Sequence, residues 1–249
     1  MNSIQHSVMA FSALLIALSA SSALAQQGDS INWSVTPYFW ASDTTLDLTV
    51  QDTEINGGVE IPFSDLLDVL DTAIQINVEG GKGNWSGFVD FTYLETSDTI
   101  DRPLINIATN SKQTFIDAAV AYWPDGTGSQ LSLFGGVRYS GFDDRYDFLL
   151  GADPLVTRRS GEDYFDLLLG VRYRFDLSDR WGLLTRGDLS FGDSEGTWLV
   201  QGLFAYTVGK RQQNRILFGY QYKEAEFQDG GLNSDFSYAG PMAGFNFRF

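Results

Sequence analysis

Apolar and polar residues alternate with a period of two along most of the chain, and the alternation recurs in ten separate runs. Successive side chains of a β-strand point to opposite faces, so each run reads as a strand with one apolar and one polar side. In 31–41, Trp33, Val35 and Phe39 share a face, and in 72–80 Ile74, Ile76 and Val78 alternate with Gln75, Asn77 and Glu79. Trp85, Val89, Phe91 and Tyr93 likewise face away from Ser86, Asp90 and Thr92. The remaining runs are 116–122, 131–139, 165–175, 181–191, 198–208, 216–223 and 243–249. Their lengths are close to the roughly 9–11 residues that a tilted strand needs to cross a bilayer.

The connections between runs sort into two kinds. Those at 81–84, 124–129, 176–180 and 209–214 are short and turn-like, as in Gly81-Lys82-Gly83-Asn84 and Pro124-Asp125-Gly126-Thr127-Gly128. Those at 42–71, 97–111, 141–162 and 225–235 are long, with 192–196 a short exception. Outer-membrane barrels show this asymmetry, with short periplasmic turns and longer extracellular loops. A soluble sandwich has no reason to sort its connections so. The pattern predicts an all-β fold, an antiparallel up-and-down transmembrane β-barrel of ten strands, with eight or twelve as alternatives. Trp85, Trp123, Trp181 and Tyr206 fall beside the short turns, where an interfacial aromatic girdle is expected.

The start of the chain reads differently. Val8 to Ala20 is an apolar run of the length of a secretory h-region, followed by Ser22-Ala23-Leu24-Ala25 with small residues at a cleavage position. Residues 1–25 are therefore expected to be a cleaved signal peptide, and 26–249 a single barrel domain beginning at Gln26. The n-region is unusual in having no Lys or Arg. The chain has no cysteine, which excludes disulfides and thiolate chemistry and suits a fold held by a closed hydrogen-bond ladder.

Net charge is −16, and it is unevenly placed. Inward strand positions hold Glu79, Asp90, Asp117, Asp166 and Asp188 against Arg138, Arg172, Arg174, Arg186, Lys223 and Arg248. The periplasmic side carries Asp29, Asp125, Asp176 and Asp179 against Lys82, Arg180, Lys210, Arg211 and Arg215. The remaining 23 of the 32 acids, and five of the 16 bases, lie in the long loops or at the strand ends that feed them. A nearly balanced lumen predicts ion pairs that fill a narrow barrel, because buried charges without partners are costly. The acidic outer rim could attract cations and would repel nucleic acid. Asp143, Asp144 and Asp147 match no standard calcium spacing, so no metal site and no cofactor is expected.

The first long loop contains Ile61-Pro62-Phe63-Ser64-Asp65-Leu66-Leu67-Asp68-Val69-Leu70-Asp71. Ser64 can cap a short helix with Asp65 in its first turn, giving an apolar stripe of Phe63, Leu66, Leu67 and Leu70. That stripe either folds over the barrel mouth as a lid or packs against strand extensions outside. Leu46, Leu48 and Val50 alternate with Asp47 and Thr49, so the first strand is expected to run beyond the membrane. Catalysis lacks its usual base: the only histidine is His6, inside the predicted leader. No phosphate loop, zinc spacing or basic stripe for nucleic acid is present, and the protein is not expected to be an enzyme.

Pro37-Tyr38-Phe39-Trp40, Phe63-Ser64-Asp65-Leu66-Leu67-Asp68, and Trp85 to Tyr93 in the form W-x-x-F-x-D-x-x-Y, with the closing aromatic strand, give most of the chain a likeness. It resembles a group of small proteobacterial outer-membrane β-barrel proteins, porin-like or opacity-type, mostly without assigned function. The resemblance implies residence in the bacterial outer membrane, and barrel assembly through a terminal signal formed by Phe245, Phe247 and Phe249. Expected partners are outer-membrane lipid and lipopolysaccharide and the barrel-assembly machinery, with cations at the acidic loops and the protein a monomer. Two functions fit: a filled barrel with a surface or envelope role through its acidic loops, or a narrow porin-like channel for small solutes or cations.

Overall fold

The computed structural model describes residues 31–50, 53–54, 59–100, 106–150, 153–209, 213–229 and 232–249. The expected leader and the start at Gln26 lie outside the described residues. Thirteen strands and one short helix are formed: β1 (Asn32–Trp40), β2 (Asp43–Val50), β3 (Thr53–Glu54), β4 (Val59–Ile61), α1 (Phe63–Val69), β5 (Leu70–Lys82), β6 (Trp85–Ile100), β7 (Asn106–Tyr122), β8 (Leu131–Leu150), β9 (Asp153–Asp176), β10 (Trp181–Gly192), β11 (Gly196–Val208), β12 (Asn214–Asp229) and β13 (Leu232–Arg248). Ten of them, β1 and β5 to β13, pair in order, and β1 pairs antiparallel with β13 from Ser34↔Arg248 to Trp40↔Met242. The sheet is therefore a closed ten-stranded barrel, the arrangement a membrane strand requires.

The short connections at 81–84 and 124–129 are tight turns, with Gly83 and Gly126 at positive φ (63° and 92°). The long connections are not loops. β8 and β9 run to 20 and 24 residues and stay paired out to Leu150↔Asp153, with one shift of register between Phe148 and Leu149, so most of 141–162 is ladder. β6–β7 and β12–β13 continue in the same way through most of 97–111 and 225–235. The reason is composition. Thr, Tyr, Phe and Val recur along these segments, and backbone pairing satisfies their N–H and C=O groups outside the bilayer as well as within it.

Outward side chains form the expected belt. Val120, Val137, Phe165, Leu167, Val200 and Phe218 are exposed around the wall. Aromatic pairs mark its two rims: Trp85–Tyr122 and Trp181–Tyr206 by the short turns, Tyr139–Phe165 and Trp198–Tyr222 at the far side. Phe245 and Phe247 of the closing strand lie with ring centroids 4.6 Å apart, and Phe249 is exposed. Trp123 is not part of the lower rim. Its indole N–H donates to Ser86 Oγ (2.9 Å), which turns the ring into the lumen.

The wall has one split. β1 pairs β5 only from Asn32↔Gly81 to Pro37↔Ile76. Above that point the chain continues in β2, which keeps the register of β1 against β13 from Asp43↔Ala239 to Leu232↔Val50, as the extended first strand predicted. β4 pairs the other side of β2, and α1 fills the space between β4 and β5. The helix is therefore not a lid on the mouth. Phe63 meets Phe39 edge-on (centroids 5.5 Å), Leu66 and Leu70 line a cavity of about 70 Å3 behind it, and Leu67 is exposed. Ser64 does not cap it: the N-cap is Pro62 without a side-chain bond, Ser64 Oγ bonds Asp65, and Asp43 on β2 accepts the Phe63 N–H at 2.7 Å. The helix begins at Phe63, with the Pro62 carbonyl accepting from the Asp65 and Leu66 N–H groups, so Ser64 lies inside the first turn and cannot be the cap.

Close approach of strands depends on a few inward glycines. A Cβ on Gly136, Gly219 or Gly240 would collide with backbone of the neighbouring strand, whereas one on Gly187 would meet nothing. Gly219→Val and Gly240→Val are expected to abolish the fast-migrating unboiled band on a denaturing gel that marks a closed barrel. Gly187→Ala is expected to retain it.

Candidate functional site

Among the described residues, the lumen is where the strands bring charged side chains together out of water, and it is built in layers by the inward parity of each strand. At mid-height, Asp117 on β7, Arg138 on β8, and Arg186 and Asp188 on β10 form a closed ring. Arg138 donates to both Asp117 oxygens (2.7 and 2.8 Å) and to Asp188 (2.8 Å). Arg186 donates to Asp188 and to Asp117, each at 2.6 Å. The side chains of Arg138 and Asp188 are 1 % and 0 % exposed. Charge-assisted bonds of this kind are the strong ones, and they use every donor of the Arg138 guanidinium group except Nη1, which is buried without a hydrogen-bond partner.

The ring crosses β9 without using it, and a glycine makes that passage. Gly170 is the register partner of both Asp188 and Phe134. A Cβ there would strike the Phe134 ring and the Asp188 side chain. Lys223 on β12 is buried beside the ring, its Nζ 3.8 Å from the centre of the Phe115 ring, a cation–π placement.

The other charges singled out by sequence take separate places. Asp166 has no arginine; it accepts from Ser190 Oγ, Ser194 Oγ and the Ser194 N–H (2.9, 2.6 and 3.0 Å), pinning the 192–196 connection to the lumen. Asp90 is held by Tyr38 (2.6 Å) and Asn77 (3.0 Å). Glu79 pairs with Arg172 at 2.9 Å and accepts from Ser86, while the Arg172 guanidinium lies 3.9 Å from the Phe88 ring centre. Arg174 sits at the lower rim on Asp176 (2.9 Å) and the Gly128 carbonyl (2.6 Å). Arg248 is exposed in the lower wall, and its main-chain N–H donates to Asn214 Oδ1 (3.2 Å). The uniform set of lumen ion pairs expected from charge balance is thus one four-membered ring, one separate pair and several residues held by neutral donors.

Sequence reasoning missed the layer above the ring. Phe115, Phe142, Tyr164, Phe227, Phe236 and Tyr238 converge inside the barrel, each within 4.5–6.5 Å of another ring centre. Trp40 adjoins at 6.2 Å from Tyr238. The signal was available. These residues share inward parity with Asp117, Arg138, Asp166 and Lys223, but attention to charge passed over the aromatics on the same face. Below the ring, Phe88, Ala119, Ala121, Phe134 and Leu168 form a smaller apolar cluster. Beneath that the lumen opens into a vestibule of about 500 Å3 at the short-turn end.

On the outer hairpins, Asp147 accepts from Arg145 and Thr157, and burial together with Asp47 and Glu224 raises the Asp235 carboxyl above its usual range. Among the described residues no three acidic or histidine side chains are placed to share a metal ion.

Removing one ring member strands its partners. Arg138→Met leaves Asp117 and Asp188 short of donors and is expected to cost about 3–5 kcal/mol in barrel stability, read from urea unfolding in phospholipid vesicles. Arg145→Met, on an exposed hairpin, should leave the midpoint unchanged.

No family model matches the chain, and no curated protein matches it. Among solved structures, it is similar to the outer membrane protease OmpT of Escherichia coli, with a TM-score of 0.51 and 10 % identity over 92 % of this chain and all of that one. The translocator domain of autotransporter NalP from Neisseria meningitidis aligns at a TM-score of 0.46 and 12 % identity, covering 98 % of each chain. Ail, the attachment invasion locus protein of Yersinia pestis, aligns at 0.40 and 7 % identity over 88 % of this chain and all of that one. At such identities the likeness concerns fold alone. The chain has the fold of bacterial outer-membrane β-barrels.

Proposed function

We propose that this protein is a non-conducting, non-enzymatic outer-membrane barrel that acts at the cell surface through its extended hairpins, as an envelope or interaction protein. One observation carries the reading: two successive levels of the lumen, the aromatic layer and the Asp117–Arg138–Asp188–Arg186 ring, are filled by side chains drawn from opposite walls. A pathway for solute would have to break the ring, leaving charges unpaired in a low-dielectric interior. The hairpins β6–β7, β8–β9 and β12–β13 extend the wall well past the upper aromatic rim and present Glu95, Asp143, Glu162 and Glu226 outside it. Such a rigid, acidic crown suits contact with other surfaces and attracts cations as a field rather than at a site. Outer-membrane lipid and lipopolysaccharide would surround the belt, and Phe245, Phe247 and Phe249 would serve assembly.

The narrow-channel alternative is tested directly. Purified, folded barrel in planar bilayers is expected to give no current steps above background. A triple variant, Phe142→Ser, Phe227→Ser and Arg138→Ser, should conduct if it retains its heat-modifiable band. Steps from the unmodified protein would overturn the reading. For the surface role, the β8–β9 tip is the informative deletion, because residues 42–71 include wall strand β2 and the cover of the split. Replacing 144–160 by a tight turn should preserve folding and remove the surface phenotype of the full chain.

A further inference from the structure

The vestibule below the ring is a blind pocket whose charge does not balance. Its wall includes Arg172, Arg174, Arg186, Arg215 and Arg248 against Glu79 and Asp90. Among the described residues, no carboxylate forms an ion pair with the side chain of Arg215 or Arg248. Arg186 is committed to the ring and Arg172 to Glu79. Arg174, Arg215 and Arg248 then share the short-turn end of the wall, with Arg215 half-buried and within electrostatic reach of the other two. Asp176, the acid of that neighbourhood, is bound to Arg174 and has a side chain 55 % exposed. Arg215 and Arg248 are then like charges on one concave wall without an acid partner among the described residues, an arrangement that a bound anion relieves.

The pocket also has the size and polarity of a ligand site. Its volume of about 500 Å3 falls within the range of small-molecule pockets, roughly 300–1,000 Å3. Side-chain amides of Asn32, Gln213 and Asn246 stand beside the arginines in the same wall, offering neutral donors around a charged centre. Arginine is the residue suited to forked recognition of phosphate oxygens. The opening faces the short-turn end, which in outer-membrane barrels is the periplasmic one.

We propose that the vestibule binds a phosphate-bearing anion from the inner side, held by Arg174, Arg215 and Arg248. The phosphate belongs either to a soluble small molecule or to a lipid headgroup reaching the barrel rim, and one titration series separates the sources. The full barrel is placed in discs of phosphatidylcholine and titrated calorimetrically with inorganic pyrophosphate. Saturable one-to-one binding is expected, weakening as salt is raised. Arg215→Gln and Arg248→Gln should each weaken it about tenfold or more, and Arg145→Gln, on the outer hairpin, should not.

Repeating the titration in discs containing phosphatidylglycerol assigns the occupant. Loss of the pyrophosphate signal there identifies a headgroup phosphate, and an unchanged signal identifies a soluble one. Each variant is first checked for the heat-modifiable band; because Arg248 lies exposed at the rim, its substitution keeps the test open if Arg215→Gln fails to fold. Absence of pyrophosphate binding in phosphatidylcholine discs, or binding unchanged in both arginine variants, overturns the proposal. Neither result bears on conductance, so this inference and the surface role stand or fall separately.

Discussion

A guanidinium cannot be buried alone, and this constraint organises the barrel interior. Arg138 is almost wholly enclosed, and an ion of that size taken out of water costs several kcal/mol unless charges and donors replace its hydration. The replacement comes from two strands: Asp117 opposite it on β7, and Asp188 on β10, with Arg186 bridging the same two carboxylates. Because β9 intervenes, the connection can form only where β9 presents no side chain, and Gly170 is that place. Arrangement follows from electrostatics here, and the glycine follows from the arrangement.

The layers above and below are consequences of the same inward parity. Once Asp117, Arg138 and Lys223 face the lumen, Phe115, Phe142 and Phe227 on the same strands must face it too, at positions two or four residues further toward the outer end. A ring of charges next to water would be screened and weakened. Beneath an aromatic layer it sits in a low dielectric, where each bond is stronger and each vacancy more expensive. The aromatic layer therefore shields the ring from water on its outer side. Lys223 joins the two, its ammonium against the Phe115 face and its charge beside Asp117 and Asp188.

Much of the fold was legible because a membrane strand enforces a strict period of two, and lipid admits no polar outward face. All ten barrel strands lie where that period placed them, and Phe245 and Phe247 lie on the face expected of them. Where lipid ends, the constraint ends, and there the reading erred. Segments such as 141–162 looked like loops because their outward positions turn polar, although their backbones stay paired. Trp123 looked like a girdle residue by position, but it stands just past the end of β7, where the strand's alternation no longer fixes its direction. Helix α1 shows the same limit. Its apolar stripe was visible, but its place depends on a split between β1 and β5 that no local pattern encodes.

The charge of the chain also reads differently once the lumen is seen to be divided. Net acidity belongs to the outer hairpins, while the pocket on the other side of the ring carries an excess of arginine. Had the lumen been one continuous aqueous space, mobile ions would screen these two regions over about 8–10 Å and the asymmetry would carry little meaning. With the aromatic layer and the ring between them, the two ends are separated by low-dielectric protein, and each presents its own field to its own compartment. Arg172 and Arg174 are paired within the vestibule, by Glu79 and Asp176, whereas Arg215 and Arg248 can be reached by a counter-charge only from the side to which they open.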